Sequence, residues 1–254
     1  MIINKRNYLF FIFLFIFMYV LTQNVPTNFF RDYVINQKDQ VNSWDALRLF
    51  LGYPMPTDIL NEKSYFNLYD PILLFTPLLF QLTGIFISSY FVKIPLSFHI
   101  FIKNKVDNKM QYYLFFLKKS MKLNLGYTIL LFFLMKINIA TSKIISPISS
   151  FNNLERDFSF VLILYCVMYF FMCFTCTLII FLGYLNNKAV LAMAGVSIGL
   201  MILNILDKTE NAINFILFDA TFYFFDSYLF WGIILFLVLW ILMKKNLKQE
   251  VYND

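Results

Sequence analysis

Lys93–Lys122 reads KIPLSFHIFIKNKVDNKMQYYLFFLKKSMK and holds seven lysines against one acid, Asp107. It lies between two long uncharged apolar runs, Pro71–Val92 and Leu123–Met135. An excess of Lys and Arg that close to membrane spans marks a cytoplasmic segment. A second order is laid over the charge. Phe98, Ile102, Val106, Met110, Tyr113 and Leu117 recur at helical spacing, with Asn104, Asn108, Gln111, Lys118 and Lys122 on another face. Two readings fit that pattern. One is a basic interfacial helix held down by anionic lipid. The other is a docking helix for a cytosolic partner.

Outward from this stretch, the chain breaks into uncharged apolar blocks. They are Asn7–Phe30, Pro71–Val92, Leu123–Met135, Phe158–Asn187, Ala189–Leu206 and Ser227–Met243. The whole is 60% hydrophobic and 14% charged, with 33 phenylalanines, whereas soluble domains carry about 25% charge. A membrane span needs about 17–25 apolar residues, and five of the blocks reach that length. The third is short, but Lys119, Lys122 and Lys136 are placed to snorkel and extend it. The expectation is an all-α polytopic membrane protein, one domain over 1–254. Its six spans are expected near 7–23, 71–92, 121–139, 158–185, 189–206 and 227–243.

Charge sets the expected topology. With both termini inside, the inner segments hold Lys5, Arg6, the seven loop lysines, Lys188, Lys244, Lys245 and Lys248, against Asp107, Glu250 and Asp254. Most acids fall outside, in a long segment over 24–70 and a shorter one over 207–226. The net charge of +6 therefore follows the positive-inside rule and gives no reason to invoke nucleic acid. Lys5 and Arg6 before Tyr8–Leu21 resemble a signal peptide, but no small-residue cleavage site follows, so an uncleaved first span is expected.

The long outer segment carries Pro26, Pro54 and Pro56 and a short helical pattern after Ser43, with Trp44, Leu47 and Phe50 or Leu51 on one side. It fits either a cover over the outer mouth or a contact for a cargo. Asn186-Asn187-Lys188 is a tight inner turn that makes the fourth and fifth spans antiparallel neighbours. In the fifth, Ala192, Gly195 and Gly199 align small residues on one face, for packing within the subunit or for a dimer seam. The stretch Asp207–Asp226 alternates acids with Phe, Ile and Tyr, as short helices at the outer interface would.

Catalytic patterns are sparse. His99 is the one histidine, which rules out H-E-x-x-H and similar metal clusters. Cys166, Cys173 and Cys176 fall inside one apolar run with no cation beside them, and read as small packing residues. No Asp, Glu, Lys, Arg or His occupies the middle of a block, where ion-coupled transporters keep one. The sequence has no P-loop.

This layout, six spans with a basic amphipathic segment after the second and an interfacial segment after the fifth, resembles the permease subunit of ABC-2-type ABC transporters. The small permeases of bacteriocin, lantibiotic and peptide-export systems are the most similar in form. The resemblance implies that 93–120 is a coupling loop seated in a cleft of a cytosolic ABC ATPase. Phe98, Ile102, Val106 and Met110 would fill the apolar part of that cleft, with Lys103, Lys105, Asp107 and Lys109 beside them. It implies no catalytic residue, metal or cofactor in this chain, with ATP and Mg²⁺ held by the ATPase. It also implies a second permease copy or paralogue, a hydrophobic or amphipathic cargo such as a peptide, and a bacterial plasma membrane. A stand-alone membrane immunity or sensor-partner protein, binding a peptide or sister protein through its outer loop, is the alternative. A lipid-modifying membrane enzyme is a third reading, weakened by the missing acid/base pairs.

Overall fold

The computed structural model describes Pro71–Val92, Lys109–Thr141, 152–186, 188–207 and Phe224–Val251, with Phe13, Ile16, Phe17, Tyr19 and Val20 of the first apolar block. Among the described residues there are five helices and no strand. They are α1 (Pro71–Val92), α2 (Lys109–Thr141), α3 (Asn152–Leu185), α4 (Ala189–Leu206) and α5 (Phe224–Val251). Continuous helix is the conformation that satisfies backbone polar groups within one segment, as lipid requires. Among the described residues, four stretches are long and apolar enough to cross a bilayer: Leu114–Ile137, Leu162–Leu185, Ala189–Leu206 and Asp226–Lys244. A shorter apolar stretch, Pro77–Tyr90, lies in α1. The described residues are thus all helical, and their apolar helices suggest a membrane-embedded protein.

The third apolar block sits within a longer element than its sequence signalled. Helix α2 has 33 residues and begins at Lys109, so Lys118, Lys119 and Lys122 lie within it. At 1.5 Å per residue it is about 50 Å long, against a hydrocarbon core of about 30 Å. Helix α3, with 34 residues, is of similar length.

The fold divides into two compact units, Met1–Leu73 with Leu130–Ile163, and Leu74–Ile129 with Leu164–Asp254. In the first, Leu131, Leu134, Met135 and Leu162 are buried, and Lys136 Nζ donates to Ser159 Oγ. In the second, side-chain contacts fix the relative directions of the helices. Tyr127 of α2 meets Phe80 of α1, and Asn124 meets Ser88. Asn124 also meets Thr177 of α3, while Phe116 stacks on Phe181 with centroids 3.4 Å apart. Tyr228 of α5 bonds the Leu164 carbonyl, and Val238 and Leu242 join Phe116, Leu178 and Phe181 in one apolar cluster. Helices α1, α3 and α5 therefore run one way, and α2 and α4 the other. Lys118, Lys119, Lys122, Lys188 and Lys244 come to one end of this unit, and Asp207 and Asp226 to the opposite end.

Two glycines permit the closest approaches. A Cβ on Gly183 would lie 2.3 Å from Ala192 Cβ and 3.1 Å from the Lys188 carbonyl, so this position lets α3 turn directly into α4. The turn is closed by backbone bonds from Asn186 N to Leu182 O (3.2 Å) and from Lys188 N to Gly183 O (2.7 Å). On α1, a Cβ on Gly84 would lie 2.4 Å from Cε1 of Tyr127, whose hydroxyl is fixed by a 2.7 Å bond to the Phe80 carbonyl.

A buried ring held at both ends has little room to retreat. Gly84→Val is accordingly expected to cost about 1–3 kcal/mol by overpacking, seen as a lowered unfolding midpoint in detergent. Adding Tyr127→Ala should recover part of that loss. Equal stability of Gly84→Val and wild type would show that α1 and α2 do not approach this closely.

Candidate functional site: an uncharged polar interior

Each apolar block has polar residues that carry no charge, and in the second unit these meet one another. Gln81 is the one side-chain amide in the α1 block, and Asn204 the one in the α4 block. Both are fully buried. They pair reciprocally: Asn204 Nδ2 donates to Gln81 Oε1 at 2.8 Å, and Gln81 Nε2 donates to Asn204 Oδ1 at 3.3 Å. Asn204 Nδ2 also donates to its own helix at the Leu200 carbonyl, 2.8 Å away. Two facing amides suit this place because each supplies one donor and one acceptor, so neither is left bare in an apolar medium.

Farther toward the lysine-rich end, Asn124 of α2 joins three helices. Its Oδ1 accepts from Ser88 Oγ of α1 at 3.0 Å. Its Nδ2 donates to Thr177 Oγ1 of α3 at 3.4 Å and to the Ser120 carbonyl at 2.9 Å. Thr177 in turn donates to the Cys173 carbonyl at 2.7 Å, so the chain of bonds ends on backbone. Ser120, Thr128 and Thr175 turn their hydroxyls back onto carbonyls of their own helices, which satisfies them without a partner helix.

A row of aromatic rings runs from α2 onto α3. Tyr127 and Tyr169 have ring centroids 6.4 Å apart, and Tyr165 and Tyr169 5.6 Å apart. All three rings are buried. Cys166, Cys173 and Cys176 are buried free thiols in the same helix. Among the described residues no group of three or more His, Cys, Asp or Glu is arranged to hold a metal. The interior is a set of neutral hydrogen bonds between helices.

The residues singled out for coupling are placed as follows. Phe98, Ile102, Lys103, Lys105, Val106 and Asp107 lie outside the described residues. Lys109 and Met110 open α2, with their side chains outside the description. Farther along the expected apolar stripe, Leu117 packs against the Phe116–Phe181–Leu242 cluster. Ala192 faces Gly183 within the chain. At Gly195 and Gly199 no described atom lies within 4 Å of where a Cβ would stand. The small-residue face is therefore split, with only its first member used in the α3–α4 turn. The segment 24–70 and most of 207–226 are outside the described residues. Gln81, Ser88, Asn124, Thr177 and Asn204 belong to no catalytic or ligand-binding motif of the sequence. Polar amides within otherwise apolar blocks were the available signal.

No protein-family model, curated protein or solved structure matches this chain.

Asn124 makes the sharpest test of the interior. Asn124→Ala removes the partner of Ser88 Oγ, whereas Thr177 keeps its bond to Cys173 O. With interhelical bonds in membranes worth about 0.6–2 kcal/mol, the variant should lose roughly 1–2 kcal/mol, most of it shared with Ser88→Ala in a double-mutant cycle. Thr177→Val should couple to Asn124 more weakly. Additive losses for Ser88 and Asn124 would contradict the bond between them.

Proposed function

We propose that this chain is the membrane-spanning permease subunit of an ATP-driven transporter, moving a hydrophobic or amphipathic cargo such as a peptide. In this reading the lysine-rich end faces the cytoplasm, and 93–120 engages a separate ABC ATPase. A second copy or a paralogue completes the pathway. One observation supports it above the others. The C-terminal part of the lysine-rich segment is the start of α2, and α2 continues unbroken to Asn124, which bonds both α1 and α3.

A single helix is the stiffest available link between an applied push and a distant contact. A displacement at Lys109 would reach Asn124 through about four turns of helix. There it would move Ser88 and Thr177 together. Phe116 stacked on Phe181 would carry the same displacement to α3 one to two turns earlier. The lysines gathered at that end, Lys118, Lys122, Lys188 and Lys244 being exposed, supply a field that would steer an acidic ATPase surface. The neutral interior suits repeated rearrangement, since exchanging amide and hydroxyl partners moves no net charge through lipid.

The test is co-purification from the native membrane in mild detergent, comparing wild type with the Ile102→Asp/Val106→Asp double variant. Mass spectrometry should find a P-loop ATPase with the wild type and lose at least about nine-tenths of it from the variant, with insertion unchanged. Recovery of no nucleotide-binding protein, or equal recovery with both forms, would contradict the coupling assignment.

A further inference from the structure

Helix α4 is fastened unevenly. Only 17% of its span is buried, against 67% for α3. Its buried residues are Val196, Leu200 and Asn204, one per turn, with Ala192, Met193, Ser197, Leu203 and Ile205 half-buried beside them. Around these Val190, Leu191, Ile198 and Ile202 are exposed. At its start α4 is tethered by the Gly183–Lys188 turn, where Lys188 N bonds Gly183 O and Ala192 N bonds Lys188 O. Near its other end stands the Gln81–Asn204 pair, about 24 Å from Lys188 along the helix axis. Between turn and amides the contacts are apolar, and apolar side chains lose little by exchanging one another for lipid tails. A helix with few buried contacts is the element expected to open first.

We propose that the Gln81–Asn204 pair is a reversible latch and that α4 is an arm pivoting on the Gly183–Lys188 turn. Closed, the two reciprocal bonds hold the far end of α4 against α1. Open, Asn204 keeps its 2.8 Å bond to the Leu200 carbonyl, so its amide still has a partner on its own helix when Gln81 is gone. That retained bond leaves an amide hydrogen satisfied in an apolar medium when the pair is open. Gln81, one methylene longer, has the reach to turn along α1 when released. The latch operates whether or not an ATPase drives it, so its test is independent of the permease reading.

The experiment uses the full chain in lipid nanodiscs with nitroxides on Leu79→Cys and Ile202→Cys, both exposed positions flanking the pair. Electron–electron double resonance gives the α1–α4 distance distribution. Cys166, Cys173 and Cys176 are buried, and the parent without introduced cysteines reports any labelling there. Wild type should show a dominant short-distance population. Gln81→Leu and Asn204→Leu should each raise the ratio of long to short distances roughly 3- to 20-fold, the range expected for one interhelical polar interaction. The double variant should match the single ones, and the exchanged pair Gln81→Asn/Asn204→Gln should return toward wild type. Unchanged distributions in both single variants, or shifts that multiply in the double variant, would overturn the latch. If a leucine variant does not fold, the exchanged pair and Asn204→Ser decide: a wild-type distribution in the first with a shifted one in the second supports it, and any other outcome opposes it.

Discussion

An amide buried among apolar helices must find its partners within the protein, and Asn124 finds them on two neighbouring helices at once. That requirement fixes more of the second unit than any apolar contact does. Leucine and phenylalanine side chains pack against many neighbours, and against lipid almost as well, so they do not choose a single register. Asn124 does choose one, because Ser88 and Thr177 must both come within hydrogen-bonding distance of the same side chain. Once α1, α2 and α3 are aligned there, Tyr127 falls beside Gly84 and the Phe80 carbonyl, and Phe116 falls on Phe181.

The arrangement grades outward from α3. That helix is buried over most of Leu162–Leu185, while α4 and α5 present wide apolar faces, including Ile198, Ile202, Ile233 and Phe236. A well-held centre with loosely attached neighbours is suited to motion that leaves the core intact. Polar pairing then decides which neighbours move together. Asn124 makes α1, α2 and α3 one block, whereas α4 meets α3 at its turn and α1 at the Gln81–Asn204 pair.

Much of this was legible in the sequence, and the reasons for the rest are physical. Uncharged blocks give away helices such as α1 and α4 because charge is nearly intolerable in lipid, so boundaries fall at the flanking charges: Lys93 after Val92, and Lys188 and Asp207 around Ala189–Leu206. That logic fails for α2, since lysines at a membrane edge are compatible with helix, and charge alone does not say where the helix starts. The apolar stripe ending in Leu117 was the better guide, and it ran through the charges. The interior was missed for a different reason. A search for catalytic or ion-coupling groups looks for ionisable side chains, but Gln81, Asn124 and Asn204 act by being neutral. Which of them pair could not be read from spacing, because Gln81 and Asn204 are 123 residues apart.

The central claim is that α2 is one unbroken helix linking the lysine-rich segment to the polar tie at Asn124. It is tested most directly by placing single nitroxides at each position over 109–123 in the reconstituted chain and measuring mobility and oxygen accessibility. A continuous rod predicts an oscillation with a period of about 3.6 residues, in phase across the whole scan, with minima at Phe116 and Ser120. Loss of that period before Ser120, with uniformly mobile spectra over 109–119, would contradict the claim and separate the lysine-rich segment from the helices it is held to move.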